Sequence, residues 1–401
     1  MIDSKLKLGV EVFFEDNLYQ RYRRANIGLL THQAATDLKL TLSLEHFYNS
    51  FRERLLWVFS PQHGLFSEKQ ANMIGSPDER EPLFGLPVKS LYGPRLKPER
   101  EDIQEIEILF VDLVDVGCRV YTYIWTLYLV MEICNQLEKE IVILDRPNPL
   151  GDTLEGPILE RDYFSFVGLD SLPMRHGLTI GEIARLFQKR HFSNLHLKII
   201  AMKNYIPSKL FPYYQRPWIF PSPNLPTFEC ALAYPGMVLL EGTNLSEGRG
   251  TTQPFLIFGA PFLKVKDLYF LLPELFPQQE WGVLLRPLAF EPTFDKWKGY
   301  RCLGFQIHIT NPKKFSPVKF AIKLLRILRE NHEEFQFLLP PYEFERTRRP
   351  IEILLGSRKV LLWLMGQEKE DLTVLLNDGL KGFLTEVSPL WIYEREPTPS
   401  L

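Results

Sequence analysis

The chain lacks most of the signatures that announce a function outright. No Gly-x-Gly-x-x-Gly follows its first strand-like run, so the glycine turn that seats a dinucleotide pyrophosphate is missing. No phosphate-cradling loop, no Gly-x-Ser-x-Gly elbow and no His-Glu-x-x-His occurs. Cysteine is scarce: the four residues at 118, 134, 230 and 302 are far apart and carry no metal-ligand spacing, which reads as reduced, buried thiols. A formal net charge of −2 gives no electrostatic case for nucleic acid or an anionic membrane surface. The most apolar run, 120–134, is interrupted by Thr122 and Thr126, flanked by Arg119 and contains Glu132, too short to span a bilayer. The first residues show no basic stretch followed by an apolar core. These absences predict a cytoplasmic protein whose partners include neither nucleic acid nor membrane.

What is present is an alternation. Short β-branched runs at 27–30, 55–59, 106–113, 141–144 and 197–201 alternate with helical patterns at 121–139 and 179–189. Thr179 with Glu182 three residues on has the form of a capping box. Strands alternating with helices imply βαβ units, hence a mostly parallel sheet covered on both faces. A proline-dense bridge over 206–227 then denies the chain both helix and central strand. We therefore expect a first α/β domain over 1–205 and a second, mixed α/β domain over 206–401. In the second, 237–240 reads as a strand, followed by a strand and turn at 290–298, a strand at 304–310 and helices at 317–330, 360–365 and 369–377.

Polar clusters repeatedly sit just after a strand, and in an open α/β sheet the carboxyl strand ends line the ligand crevice. Gln33, His63, Asp115, Arg119, Asp145 and Asn148 are thus expected to converge. His63 near Asp112, Asp115 or Asp145 offers a single imidazole among scattered carboxylates, so no metal is expected. The least ordinary stretch is 241–255, which holds two carboxylates, a guanidinium, four hydroxyls, two amides and three glycines in fifteen residues. Every buried polar group needs a partner, so this density at the end of an expected strand suggests a ligand loop. A crevice of carboxylates, amides and hydroxyls with Tyr92, Tyr121, Tyr123 and Trp125 suits a carbohydrate. Glycoside hydrolysis commonly uses two carboxyl groups of different pKa, for which Glu68, Glu241, Glu247 and Asp115 are candidates.

The motifs Pro-Ser-Pro-Asn-Leu-Pro-Thr (221–227), Tyr-Pro-Gly (234–236) and Glu-Gly-Thr-Asn-Leu-Ser-Glu-Gly-Arg-Gly-Thr (241–251) resemble those of the NamZ-type exo-β-N-acetylmuramidases. So do Pro-Gln-His-Gly (61–64), Ser-Leu-Tyr-Gly (90–93), Asp-Arg-Pro-Asn-Pro (145–149), Pro-Met-Arg-His-Gly-Leu-Thr (173–179), Gly-Ala-Pro (259–261) and Leu-Gly-Ser (355–357). The resemblance runs nearly end to end. It implies a Rossmann-like first domain, a smaller second domain, and a cleft between them that removes N-acetylmuramic acid from the non-reducing end of peptidoglycan-derived saccharides or muropeptides, without an organic cofactor. It also implies that Arg249, Arg146 or Arg119 meets the lactyl carboxylate. His63 and Asn244 would position the sugar, and Gln62, Tyr121 and Asn224 would line the site. The family form at 61–64 is Pro-Glu-His-Gly, with that Glu as the expected catalytic carboxylate; here the residue is Gln62. An amide neither gives a proton as an acid nor attacks as a carboxylate. The acid then falls to Glu68 or Glu247, with Glu241 beside it, or the chain binds the saccharide without hydrolysing it, or takes a different sugar.

Overall fold

The computed structural model describes residues 5–70 and 73–395. The first four residues, part of the stretch read above for a leader, lie outside the described residues. The described strands are β1 (Ile27–Thr31), β2 (Leu55–Ser60), β3 (Glu79–Arg80), β4 (Pro87–Ser90), β5 (Ile108–Asp112), β6 (Glu140–Leu144), β7 (Glu155–Ile158), β8 (Pro173–Arg175), β9 (His196–Ile200), β10 (Ile257–Ala260), β11 (Val283–Phe290) and β12 (Cys302–Ile309). Seven of them form one sheet in the order β3-β4-β2-β1-β5-β6-β9, parallel throughout except for the short edge strand β3. A smaller antiparallel sheet, β10-β12-β11, follows in the second half, and β7 and β8 make a separate ribbon.

The large sheet is buried on both faces, which is why its strands read as apolar runs rather than as alternations. Along β5, Ile108 and Phe110 point into one core, and Leu109 and Val111 into the other. The second of these cores continues without a break into the helices of the C-terminal half, through Met237, Phe258 and Leu325. The expected helices at 121–139 and 179–189 are present as Tyr123–Gln136 and Ile180–His191, the latter with Thr179 accepting from the Glu182 amide in a full capping box.

One element differs from the sequence reading. The run 237–240 is not a strand: it closes the helix Phe228–Met237 and continues as the 3-10 turn Val238–Gly242. A short apolar run is ambiguous between a buried strand and a buried helix. The deciding signal lay upstream, where Thr227 caps the helix by accepting from the Cys230 amide. The helix is buried nearly all round, and at Gly236 it approaches the helix Pro317–Asn331 so closely that a Cβ would sit 1.9 Å from the Pro317 carbonyl oxygen. The stretch 241–255 therefore leaves a helix, not a strand, and leans back on β10 through paired Ser246 and Gly259 backbones.

Candidate active site

A narrow polar cleft lies between the ends of β2 and β5, the proline bridge, the 241–255 stretch and a turn at 342–345. From β2 come Gln62 and His63; from the segment after β5 come Tyr121 and Thr122; from the bridge, Ser222 and Asn224; from the loop, Glu241 and Arg249; from the turn, Tyr342 and Glu343. All of these polar residues are more than nine-tenths buried, so each interaction acts in a low dielectric.

The turn is built at a cost. The backbones of Tyr342 and Glu345 exchange two hydrogen bonds of 2.9 Å, leaving Glu343 and Phe344 as the central pair, with φ of 44° and 68°. Two left-handed residues in succession is the geometry that favours Asn-Gly, and for side chains with a Cβ it costs about 1–2 kcal/mol per residue. What the strain achieves is the aim of Glu343. Its Oε2 accepts from the Tyr92 hydroxyl at 2.7 Å and its Oε1 from the Gln62 amide at 3.3 Å. Burial pushes its pKa up to about 7, against the opposing pull of the Tyr92 hydrogen bond and with the Glu241 charge adding to the rise. At neutral pH a substantial fraction of Glu343 is a carboxylic acid facing the cleft. Gln62 is oriented by Thr122, whose hydroxyl donates to Oε1 at 2.6 Å and so turns the amide nitrogen toward Glu343.

Glu241 stands in a different environment. The Tyr342 hydroxyl donates to it at 2.6 Å, and Arg249 reaches it with Nη2 at 2.7 Å and Nε at 3.2 Å. Burial alone would lower the Arg249 pKa, but Glu241 and Glu247 outweigh it and hold the guanidinium firmly charged. Its Nη1 is buried and has no hydrogen-bond partner among the described residues. That leaves one charged donor over at the cleft wall. Glu247 lies behind: its carboxylate meets Lys296 at 2.6 Å and Arg249 Nε at 3.4 Å, and neither contact has hydrogen-bond geometry, so the group is held by charge. It is not on the cleft surface.

His63 is neutral. Burial lowers its pKa to about 4, despite a Lys69 carbonyl that favours the proton. Nδ1 donates to that carbonyl at 2.8 Å, which makes Nε2 the acceptor for the Ser222 hydroxyl at 3.2 Å. The ring positions the bridge rather than supplying a proton. Tyr121 and Tyr123 secure the same segment by donating to the Pro221 carbonyl at 3.0 and 2.9 Å, and Asn224 by donating to the Gln70 carbonyl at 2.8 Å.

Several expected site residues are placed elsewhere. The side chain of Glu68 is 46% exposed, with Lys69 at 3.9 Å, and it does not line the cleft where it was expected to supply the acid. Arg119 is fully buried, giving Nη1 to the carbonyls of Pro157 and Leu172 and Nη2 to those of Leu354 and Leu355. Arg146 is bound by Asp112 and by the Thr36 carbonyl. Neither faces the cleft as an anion anchor. Asp145 accepts from Tyr393, Thr179 and the Gly181 amide, and burial raises its pKa to about 7. Asp115 accepts from the Gly117 amide and pairs with His176 at 3.2 Å. Asn148 donates to the Leu178 carbonyl and accepts from the Leu150 amide. Gly117, at φ +70°, admits it, since a Cβ there would fall 2.2 Å from Asn148 Oδ1. Asn244 closes a turn onto Glu334 and Gln336. The sequence reading missed Glu343, Tyr342, Thr122 and Ser222. The signal for the first two was a carboxylate and a phenol in the run Pro-Pro-Tyr-Glu-Phe-Glu (340–345), outside every strand end. Among the described residues no group of three His, Cys, Asp or Glu side chains is arranged to hold a metal.

Comparisons with known proteins agree with this architecture. Residues 27–229 match the family model described as exo-beta-N-acetylmuramidase NamZ, N-terminal, and residues 232–393 match its C-terminal counterpart. The peptidoglycan beta-N-acetylmuramidase NamZ of Bacillus subtilis (strain 168) is 40% identical over 338 residues, covering 83% of this chain and 80% of that protein. Two crystal structures of DUF1343 family proteins from Bacteroides fragilis share the fold. One has a TM-score of 0.83 at 27% identity over 97% of this chain and 99% of that one; the other has 0.74 at 25% over 98% and 99%. With both family models matched in chain order over nearly its whole length, the chain belongs to the NamZ exo-β-N-acetylmuramidase family.

Proposed function

We propose that the cleft hydrolyses the β-glycosidic bond of N-acetylmuramic acid at the non-reducing end of peptidoglycan-derived saccharides, with Glu343 as the acid. Family membership and the Bacillus subtilis relative carry the activity. The assignment of the acid to Glu343 is supported by its place on the cleft wall together with a pKa that burial raises to about 7; Asp145, raised as far, lies off the cleft. An acid poised near the working pH is both protonated and able to give up its proton, the condition for assisting departure of an alcohol. Glu241, ion-paired and hydrogen-bonded, is the second carboxylate and presents negative charge to the oxocarbenium-like transition state. The spare Nη1 of Arg249 is a donor for the lactyl carboxylate that distinguishes muramic acid from glucosamine.

Gln62 then has a coherent role. As a donor to Oε1 it holds the Glu343 carboxyl in place without adding a second charge. We place the domain division at 205/206, on the change from the parallel to the antiparallel sheet across the proline bridge. We place the protein in the cytoplasm, on its four free, buried cysteines. Among the described residues no helix is long and apolar enough to cross a membrane.

The test is turnover of the disaccharide N-acetylmuramyl-β-1,4-N-acetylglucosamine. Glu343→Gln should lower kcat by about 10³-fold with KM little changed, the size of a lost general acid. Full activity in that variant would remove Glu343 from the chemistry. Binding without turnover by the native protein would mark a saccharide receptor.

A further inference from the structure

Glu343 lines two cavities. One is the enclosed cleft; the other is an open groove between the 94–100 segment and Phe164, Phe166 and Leu169. Beside Glu343 stands Phe344, in the groove and 51% exposed. An exposed phenylalanine held at φ 68° is doubly unfavourable: the ring is in water and the backbone suits glycine. The surroundings nonetheless fix it. Its ring lies 5.6 Å from Tyr92 and 5.4 Å from Phe166, edge to face with each. The turn is also tied to the opposite wall, because Arg348 pairs with Glu345 at 2.7 Å and donates to the Phe164 carbonyl at 2.7 Å. A rigid aromatic surface thus begins at the residue next to the acid, on the side away from the sugar pocket.

We propose that Phe344, backed by Phe166, is the platform for the leaving-group sugar, a neutral N-acetylated hexose ring whose C–H face stacks on the phenyl ring. This rests on the reading of Glu343 as the acid. The acid of an exo-acting glycosidase must stand where the enclosed terminal sugar meets the departing one, and Glu343 is shared by both cavities. The charges along the groove do not favour an anionic peptide as occupant. Of the three cations lining it, Arg95 and Lys97 are already engaged by Asp78 and Glu132, which leaves Arg100 against Glu99 and the Arg348-paired Glu345.

Phe344→Gly removes the ring and suits the backbone, so the turn is retained. The two substrates are N-acetylmuramyl-β-1,4-N-acetylglucosamine and N-acetylmuramyl β-fluoride, whose leaving group is one atom that needs no proton. Phe344→Gly should lower kcat/KM on the disaccharide about tenfold, chiefly through KM, leave the fluoride within about twofold, and be restored by Phe344→Trp. Equal loss on both substrates would make Phe344 a support for Glu343, and no loss on either would empty the groove of a role; each overturns the proposal. A loss confined to a peptide-bearing disaccharide would overturn it too, assigning the groove to peptide. Glu343→Gln separates the two layers. If it spares the disaccharide, the acid assignment fails whatever Phe344 does; if it spares only the fluoride, that assignment stands and the Phe344 result is read alone. A native protein that turns over neither substrate sinks both.

Discussion

At the carboxyl edge of the large sheet, Arg119, Arg146, Asp112 and Asp145 are as buried as anything in the cleft, yet their bonding is nearly complete. Arg119 gives two bonds from each terminal nitrogen to carbonyls of both halves of the chain, and Asp145 collects four donors, from the Arg146 amide, one helix start and Tyr393. The cleft uses the same residue types and leaves something over. Among the described residues Arg249 Nη1 has no hydrogen-bond partner, and Glu343, whose pKa is raised to about 7 as Asp145's is, stands on a cavity where Asp145 does not. Burial and charge therefore do not distinguish structure from chemistry in this molecule. Unused bonding capacity facing a cavity does.

The sharpest way to break that contrast is to exchange the two arginines' fates. Arg119→Met leaves four buried carbonyls without their donor, and should cost roughly 4 kcal/mol, read as a lower urea midpoint at unchanged slope. Substrate preference in whatever protein remains folded should be native. Arg249→Lys keeps the charge opposite Glu241 but loses the fork. It should lower kcat/KM on N-acetylmuramides by about 10²-fold, roughly 2.7 kcal/mol, and leave N-acetylglucosaminides, which lack the carboxylate, nearly unaffected. Uniform loss on both sugars would mean that Arg249 too is structural.

The pH behaviour sharpens the comparison from the other side. Glu343 must be protonated to act, so kcat/KM should fall as pH rises through about 7. Tyr92→Phe removes a bond that favours the charged form and should move that limb upward, by about one unit. Gln62→Glu should move it further in the same direction, since two carboxyls in contact share one proton. Stability has the matching sign. A carboxyl whose folded pKa of about 7 lies above its unfolded value binds more protons folded than unfolded, so its contribution declines as pH rises from about 4.5 to 7. Glu343→Gln should therefore gain stability relative to the native chain between pH 5 and 8, by on the order of 2 kcal/mol, read from thermal midpoints.

Much of the scaffold was legible because its signals are local. Doubly buried strands are apolar runs, and Thr179 with Glu182 marks a helix start without any tertiary information. The helix Phe228–Met237 was partly hidden, because its apolar tail carries no period and only Thr227 marks its beginning. The site was harder. Glu241, Arg249, Gln62, His63, Tyr121 and Asn224 were found from polar density and motif, and the cleft contains them all. Strand-end position also nominated Asp115, Arg119, Asp145, Arg146 and Asn148, which bond within the packed sheet edge and do not line the cleft, although Asp115 Oδ1 and Arg119 Nε are left without a hydrogen bond among the described residues. Whether a polar residue has bonding capacity to spare depends on neighbours remote in sequence. Glu343 was overlooked for the same reason: its importance comes from a strained turn and from residues nearly three hundred positions upstream.

The bond between Gln62 and Glu343 joins residues 281 positions apart, and the Tyr92 hydroxyl waits on the same carboxyl. During synthesis the large sheet has all of its strands once residue 200 has emerged, but the carboxyl proposed as the acid arrives only after the second sheet and the long helix behind it. A loop this wide is among the last to close, since its entropy must be met before its contacts repay it. On that assignment hydrolytic competence is a late event in the life of each chain, and a partly finished molecule carries the cleft's floor without its proposed acid.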